Sequence, residues 1–305
     1  MDRLEAMRVF VAVADAGGFA PAARQLNLSP PAVTRSIAAL EQHLGVRLLH
    51  RTTRLVRVTE AGARYLDDCR RILAEVEEAE ASVGGAHAEP QGVLGVTAPA
   101  MFGPMYVAPL LLDFLAQHPR VRVRSVFVDR VVNLIDEGLD VAVRIARLPD
   151  SSLTAVRVGA VRRVVVASPA YLAARGTPRT PADLAEHDAI GFTPAGGAPA
   201  PWVFRADERA PPQTVQPRVR LEVNGSEVGI QAALAGFGLT RALSYQVAPH
   251  VQAGTLRIVL AEYEPRPIPI HLMYPEGRRA AAKVRAFVAF AAERLRQDPR
   301  LALPS

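Results

Sequence analysis

The segment Phe19–Glu41, FAPAARQLNLSPPAVTRSIAALE, constrains this chain more than any other stretch. It reads as two short helices joined by a tight turn. Phe19, Ala22, Ala23 and Leu26 share one face of the first helix, and Asn27 and Leu28 form the turn. Ser29 is placed to cap the second helix, its hydroxyl accepting from a backbone N–H that has no partner in the first turn. Pro30 and Pro31 follow, where a missing N–H costs nothing and φ is already helical. Val33, Ile37, Leu40 and Leu44 recur at helical spacing and are expected to face inward. Pro30, Pro31, Thr34, Arg35 and Ala38 are then left outward near the N-terminal end. In a helix-turn-helix, that end meets base edges and phosphates. The same pattern also describes an ordinary helical hairpin with a solvated face.

The flanks separate the two readings. Upstream, Leu4, Met7, Phe10, Val11 and Ala14 make an amphipathic helix, with Asp2 and Glu5 at its start and Gly17-Gly18 at its end. It supplies the third helix needed to bury the apolar sides of the other two. Downstream, Val46–Arg51 and Arg54–Val58 alternate apolar and polar residues as two short strands, with Thr52 and Thr53 in the turn. Such a hairpin is a wing, and Arg51, Arg54 and Arg57 give it the charge to meet phosphates or a narrow minor groove.

The ordered series LNLSPPAVTRSIAALEQHLGVRLLHRTTRLVRVTEAG resembles the winged helix-turn-helix of the LysR-type transcriptional regulators. The resemblance is strong over roughly the first 60 residues, a usual size for a small domain. Ala20-Pro21 departs from it, since the family often places a hydroxyl residue there to cap the second helix, and neither residue here has a hydroxyl to offer a phosphate. The resemblance implies DNA contacts from Ser29, Pro30, Pro31, Thr34 and Arg35 on the recognition helix and from Arg51, Thr53 and Arg54 on the wing.

Charge is distributed to match. The formal net charge is +6, but the arginines at 24, 35, 47, 51, 54 and 57 crowd the first segment, whereas Glu75, Glu77, Glu78 and Glu80 follow it. A basic head before an acidic stretch suits a polyanion at one end only. Lys283 is the only lysine and Cys69 the only cysteine, so neither an intrachain disulfide nor a cysteine-based metal site is expected. The start MDRLEAMRVF lacks the apolar core and small-residue cleavage site of a signal peptide. No apolar run reaches the ~18 residues of a membrane span. These features point to a cytoplasmic protein with no membrane partner.

From Thr59 to Ser82 the chain is rich in helix formers and free of proline. Leu66, Cys69, Leu73, Val76 and Val83 fall at alternating three- and four-residue steps, with Glu80 in the remaining slot. That is a coiled-coil seam of about three heptads. In LysR-like proteins this helix pairs with a second chain, so a homodimer or homotetramer reading paired half-sites is expected. Gly84-Gly85 ends the helix and 86–91 reads as a hinge.

From Gly92 strands and helices alternate. Val93–Thr97, Val121–Phe127 and Val141–Ile145 read as strands, separated by helices at Gly103–His118 and Val131–Glu137, an order that predicts a parallel sheet. A second α/β unit starts near Arg162, and by resemblance the last elements return to the first. The expected plan is α/β throughout this part. A DNA-binding domain spans 1–58, a linker helix and hinge 59–89, and a two-subdomain, periplasmic-binding-protein-like effector domain 90–305. Its first subdomain is 90–161 with 267–305, and its second is 162–266.

Ligands in open α/β sheets bind beyond the carboxyl ends of strands, beside helix N-termini. That places Thr97, Ala98, Pro99 and Ala100, then Phe127 and Asp129, then Arg144, at the cleft from the first unit. From the second it places Asn224 and Ser226, with Trp202 and Phe204 as an aromatic wall. Each has a second reading: Thr97, Asn224 and Ser226 as helix caps, Asp129 as a partner of Arg130 or Arg144, and Trp202 as core. Arg144 and the helix start at Ser226 lean toward an organic anion as effector.

The histidines show no metal-ligand spacing, and neither a GxSxG motif, a P-loop nor HExxH occurs, so no catalysis, cofactor or metal is expected. The expected partners are double-stranded DNA, a small-molecule effector and a second copy of the chain, with RNA polymerase as a further candidate. Two rival readings stand beside this one: a constitutive repressor whose cleft binds nothing, and a solute-binding module without DNA function.

Overall fold

The computed structural model describes residues 2–51, 56–83, 89–148, 153–193, 201–205, 211–275 and 281–302, with the backbone alone at Arg51, 74–75 and 77–83. The chain forms two compact units, Met1–Gly92 and Val93–Ser305.

In the first unit, helix α1 (Arg3–Ala16) is capped by Asp2, whose carboxylate accepts from Leu4 N at 3.0 Å and Glu5 N at 3.3 Å. Helices α2 (Phe19–Gln25) and α3 (Pro30–Leu44) follow, and Ser29 Oγ accepts from Ala32 N at 3.4 Å at the start of α3. Gly17 and Gly45 end α1 and α3 at φ 64° and 68°, where a side chain is disfavoured. Ala6, Val9, Phe10, Val13, Ala22, Ala23, Val33, Ile37 and Leu40 form one core.

Leu44, expected inside, is 37% exposed, because Leu48 and Leu49 from the next segment close the core instead. The wing strands β1 (Leu49–Arg51) and β2 (Val56–Val58) are antiparallel, with Leu49 opposite Val58. β1 begins later than the alternation predicts, since the N–H groups of Leu48 and Leu49 go to a side chain rather than to a neighbouring strand; Arg54 and Leu55, expected in the second strand, lie outside the described residues.

Helix α4 (Glu60–Val83) changes the reading of the seam. Leu66 and Cys69 are buried in the first unit's own core, next to the tilted ring pair Phe10 and Tyr65. Their burial is complete within one chain, which corrects their reading as seam positions. Leu73 and Val76 are half-buried, and the side chain of Val83 lies outside the described residues.

The second unit holds two five-stranded sheets. The first is built from β3 (Gly92–Ala98), β4 (Val121–Phe127), β5 (Val141–Ile145), β6 (Leu153–Val161) and β14 (Ile268–Pro275), in the order β4-β3-β5-β14-β6. The second is built from β7 (Arg163–Ala167), β8 (Asp188–Phe192), β11 (Arg218–Val223), β12 (Leu239–Leu243) and β13 (Arg257–Val259), in the order β11-β8-β12-β7-β13. A small antiparallel hairpin, β9 (Trp202–Phe204) and β10 (Gln213–Val215), stands apart. The parallel arrangement expected between the strands at 93–97 and 141–145 is present in β3 and β5, but the sheet as a whole is mixed, because β14 runs antiparallel to both β5 and β6. The cause is topological. The chain leaves the first sheet through β6 and re-enters it through β14, and a strand that returns from another sheet arrives reversed.

Helices α5 (Ala108–Gln117) and α9 (Ala282–Gln297) cover one face of the first sheet, burying Leu94, Val96, Phe102, Phe114, Val143, Ile270, Leu272 and Phe287 together. The opposite face packs Ala142 and Met273 against Val132, Leu134 and Leu139. Val132 and Leu134 belong to 131–137, where the expected helix does not form and 134–138 make turns instead. Asn133 Oδ1 accepts from Ile135 N at 3.1 Å, a local bond that competes with helical pairing and leaves Val131 and Ile135 93% and 77% exposed. In the second sheet, α7 (Ser226–Leu234) and α8 (Ser244–Gln252) cover the face of Val164, Val166 and Ile190. Trp202, Phe204, Tyr171 and α6 (Pro169–Arg175) cover the face of Val165 and Ala189.

Lys283 is buried beneath the first sheet. Its Nζ donates to Val93 O at 2.6 Å and lies 3.6 Å from Asp140 Oδ2, which accepts from Gly95 N at 2.7 Å. No helix among the described residues is long and apolar enough to cross a membrane.

Candidate nucleic-acid interface and ligand cleft

The outward face of α3 is as its sequence spacing requires. Ser29, Pro30, Pro31, Thr34, Arg35 and Ala38 are all exposed, while Val33, Ile37 and Leu40 are buried. Thr34 Oγ1 donates to Pro30 O at 3.0 Å, so its hydroxyl proton is engaged inside the helix and its oxygen presents lone pairs outward. Among the described residues no carboxylate pairs with Arg35, a cation held at the N-terminal half of the helix. The cap of α2 is Gly18, which makes no side-chain hydrogen bond, so this chain has no hydroxyl at that corner.

The wing is tied to α3 and α4 by backbone carbonyls and amides. Glu41 Oε1 accepts from Leu48 N at 2.9 Å and Leu49 N at 3.1 Å. Thr59 donates its hydroxyl to Arg47 O at 2.8 Å and accepts from Gly62 N at 2.9 Å, so one side chain both caps α4 and anchors the wing. A Cβ at Gly62 would lie 2.0 Å from Leu48 O, which only glycine allows. The VTEAG stretch is thus a close crossing of α4 over the wing's base. Arg57 on β2 is exposed; Thr53, Arg54 and the side chain of Arg51 lie outside the described residues.

In the second unit, the end of β3 and the end of β4 are stitched together. Val128 N donates to Ala98 O and Ala100 N donates to Asp129 Oδ1, both at 2.9 Å, so Asp129 orders the loop Pro99–Ala100 rather than pairing with Arg130 or Arg144. Arg130 instead pairs in two-pronged fashion with Glu137. Phe127 lies over Gly103, where a Cβ would come within 2.2 Å of the ring. Thr97 is fully buried, and its hydroxyl has no hydrogen-bond partner among the described residues. Arg144 lies opposite His271 in the sheet, with one guanidinium nitrogen enclosed and without a partner among the described residues. Burial draws its pKa down.

The second sheet's predicted residues separate. Trp202 and Phe204 are 3% exposed and belong to the core between the β9–β10 hairpin and the sheet, so they form no open aromatic wall. Asn224 is exposed and Ser226 half-buried at the start of α7, whose capping position is Gly225 and carries no side-chain bond. Neither hydroxyl nor amide therefore caps that helix. Two groups absent from the sequence reading stand out. Arg163 on β7 and Arg241 on β12 are both half-buried on the Trp202 side of the sheet. In the sequence each appears only as a cation beside or within an apolar run, RVVVA and LTRAL, which does not show that the two are adjacent. A cavity of about 510 Å³ borders Arg162, Ser244, Tyr245 and Arg300 at the crossover, and one of about 720 Å³ runs along α9. No predicted effector residue lines either.

A helix-turn-helix with an exposed basic reading edge, joined in one chain to paired α/β subdomains linked by crossing strands, is the architecture of a ligand-responsive DNA-binding regulator. Comparison with known proteins gives the family. A model of bacterial regulatory helix-turn-helix proteins of the lysR family matches residues 4–63, and the LysR substrate binding domain matches 87–296. The chain belongs to the LysR family of transcriptional regulators. It is 35% identical over 303 residues to an HTH-type transcriptional repressor of Pseudomonas aeruginosa, covering 99% of this chain and 95% of that one. It is 32% identical to the transcriptional activator AaeR of Escherichia coli, covering 94% and 92%. The solved structure of CrgA, a LysR-type regulator of Neisseria meningitidis, shares 34% identity at a TM-score of 0.60, covering 95% and 98%.

Proposed function

We propose that this LysR-type regulator reads double-stranded DNA by laying Pro30, Pro31, Thr34 and Arg35 of α3 in the major groove, with Ser29 at the helix start. Arg51, Thr53 and Arg54 would follow the flanking backbone from the wing. The observation that carries this is the outward Arg35, with no carboxylate partner among the described residues, on a helix whose C-terminal part holds the wing strand through Glu41. Recognition helix and wing then approach DNA as one rigid body. Two chains pair through α4 to place two reading heads on one duplex, with the contact running from Leu73 and Val76 toward Val83. Further pairing to a tetramer, contact with RNA polymerase and action in the cytoplasm complete the reading.

A small-molecule effector between the two α/β subdomains sets the regulator's state, approached by Thr97–Ala100, Phe127 and Arg144 from the first sheet and by Asn224 and Ser226 from the second. The test uses the full chain and the duplex upstream of its own gene, measured by fluorescence anisotropy against a scrambled duplex over a salt series. The expected result is preference for the natural duplex and a steep fall of affinity with salt. Equal, salt-insensitive affinity for both duplexes sinks the DNA-reading assignment. For the effector, a ligand at 100-fold its Kd adds about 2.7 kcal/mol of stability, and silence across a broad metabolite set favours a constitutive regulator.

A further inference from the structure

Two arginines stand side by side on one face of the second sheet. In the antiparallel pair β7–β12, Arg241 is opposite Val165 and Leu243 opposite Arg163, so Arg163 and Arg241 are diagonal neighbours. Diagonal side chains on one sheet face lie within reach of each other when they are long. Both are half-buried, and among the described residues no carboxylate pairs with either. Arg241 is fixed from below: its Nη1 donates to Pro201 O at 3.0 Å, and its guanidinium sits 5.7 Å from the centre of the Trp202 ring. Burial, reinforced by the neighbouring Arg163 charge, pulls Arg241 down to about 10, and burial lowers Arg163 as well. Nearby carboxylates are otherwise engaged, Glu264 by Arg162 and Asp188 by Arg218 and Arg220.

Thr193 continues the same face. β8 runs parallel to β12 with Ala189 beside Leu239, so 191 and 193 alternate onto the side of Arg241. Its hydroxyl is buried and has no partner among the described residues. This corner is the carboxyl end of β8 and β12, the end from which open sheets take ligands. It also lies on the subdomain boundary, because Arg163 follows directly on the crossing residues Val161-Arg162. Met101 packs against both the α5–α9 core and the α7–α8 core, so those two faces run on from one sheet to the other. The opposite faces, with Arg144 on one sheet and Arg163, Arg241 and Thr193 on the other, therefore look to the same side.

Like charges buried together without a counterion raise the free energy of the empty protein, and a bound anion relieves it. A planar oxyanion meets the fork of a guanidinium through two hydrogen bonds, and an adjacent hydroxyl adds a third. We infer that Arg163, Arg241 and Thr193 form the anion-binding end of the effector site, taking the carboxylate or phosphoryl group of an organic acid whose remainder extends toward Thr97–Ala100. This rests on the effector reading above and adds to it the charge of the ligand and the residues that hold it.

The experiment measures thermal shifts of the full chain at constant ionic strength, with benzoate, phenyl phosphate, benzamide and benzylamine as probes. Acids are expected to raise Tm while the neutral and cationic analogues do not, and the stronger of benzoate and phenyl phosphate identifies the oxyanion. In Arg163→Met and Arg241→Met the Tm without ligand should hold or rise, and the acid's apparent Kd should weaken at least tenfold. Arg241→Lys should keep part of the response. An unchanged acid response in the double Met variant overturns the inference, as does a fall in ligand-free Tm with Met that Lys restores. Shifts by benzamide or benzylamine alone overturn it while leaving an effector site standing. Silence of all four probes against the parent chain overturns it too; the effector reading itself falls only if the broad metabolite screen is silent as well.

Discussion

Glu41 Oε1 accepts two successive backbone amides, those of Leu48 and Leu49, and so fixes the wing's first strand to the last turns of the recognition helix. The carboxylate reaches across the Gly45 turn and satisfies donors that short strands leave unpaired. A buried amide that loses its acceptor costs about 1–3 kcal/mol. Glu41→Ala is expected to destabilise the DNA-binding unit by that amount and to weaken DNA binding further, because the wing loses its register. Glu41→Gln keeps an acceptor and should restore most of both, as read by chemical unfolding and anisotropy. Equal stability of Glu41→Ala and the parent would remove this role.

Gly62 meets the same wing from the other side. A methyl group there collides with the Leu48 carbonyl, and backbone on both sides leaves little room to yield. Gly62→Ala, normally favourable in a helix, should instead lower stability by about 1–3 kcal/mol or more, the range for overpacking. A rise in Tm would show that α4 shifts freely past the wing.

Arg35 is exposed and pairs with no carboxylate among the described residues, so Arg35→Ala should leave the stability within about 0.5 kcal/mol of the parent. Binding should weaken across sequences, and the salt slope should fall by about one unit. Full affinity with the parent's slope would place Arg35 off the DNA.

Acid should destabilise the protein in two stages. His187 and His271 are both held below the usual imidazole range, first by burial and then by Arg175 and Arg157 respectively. A depressed histidine stabilises the fold above its unfolded pKa, about 6.5, and that stability is lost as pH falls through the folded value. Asp188 and Asp298, held down by Arg218 and Arg300, follow the same sign below about pH 4. Tm should therefore decline between pH 6.5 and 5 and again below 4. His187→Gln should flatten the first step; a parent Tm constant from pH 7 to 5 would contradict the assignment.

Cys69 should be inert. Burial pushes its thiol up to about 11, beside Tyr65, which is pushed up to about 12. A thiol reagent at pH 8 should label the native chain far more slowly than the unfolded one. Equal rates would mean that α4 opens readily from the first unit's core.

The DNA-binding unit was legible because its signals are local. Caps at Asp2 and Ser29, glycine stops at 17 and 45, and the 3–4 spacing of Val33, Ile37 and Leu40 each act within one turn. The heptad spacing of Leu66 and Cys69 was equally clear, but spacing says only that a stripe is apolar, not which surface covers it; α1 does so within the same chain. The strand direction of β14 was hidden because it depends on a partner more than a hundred residues away. Trp202 misled for a related reason, since an aromatic near a strand end can face either a ligand or a core. Arg163 and Arg241 escaped notice because their significance lies in adjacency across two strands, which no linear pattern displays.

Lys283, locked against Asp140 and Val93, has a consequence for chemistry done on the protein. The chain's only ε-amine is buried, so the side chains offer acylating enzymes and amine-directed reagents no exposed target. Cross-linking through lysine side chains has no exposed ε-amine to join, and regulation by lysine acylation has no surface on which to act. Assembly is better followed through guanidinium or carboxylate chemistry, or by hydrodynamics.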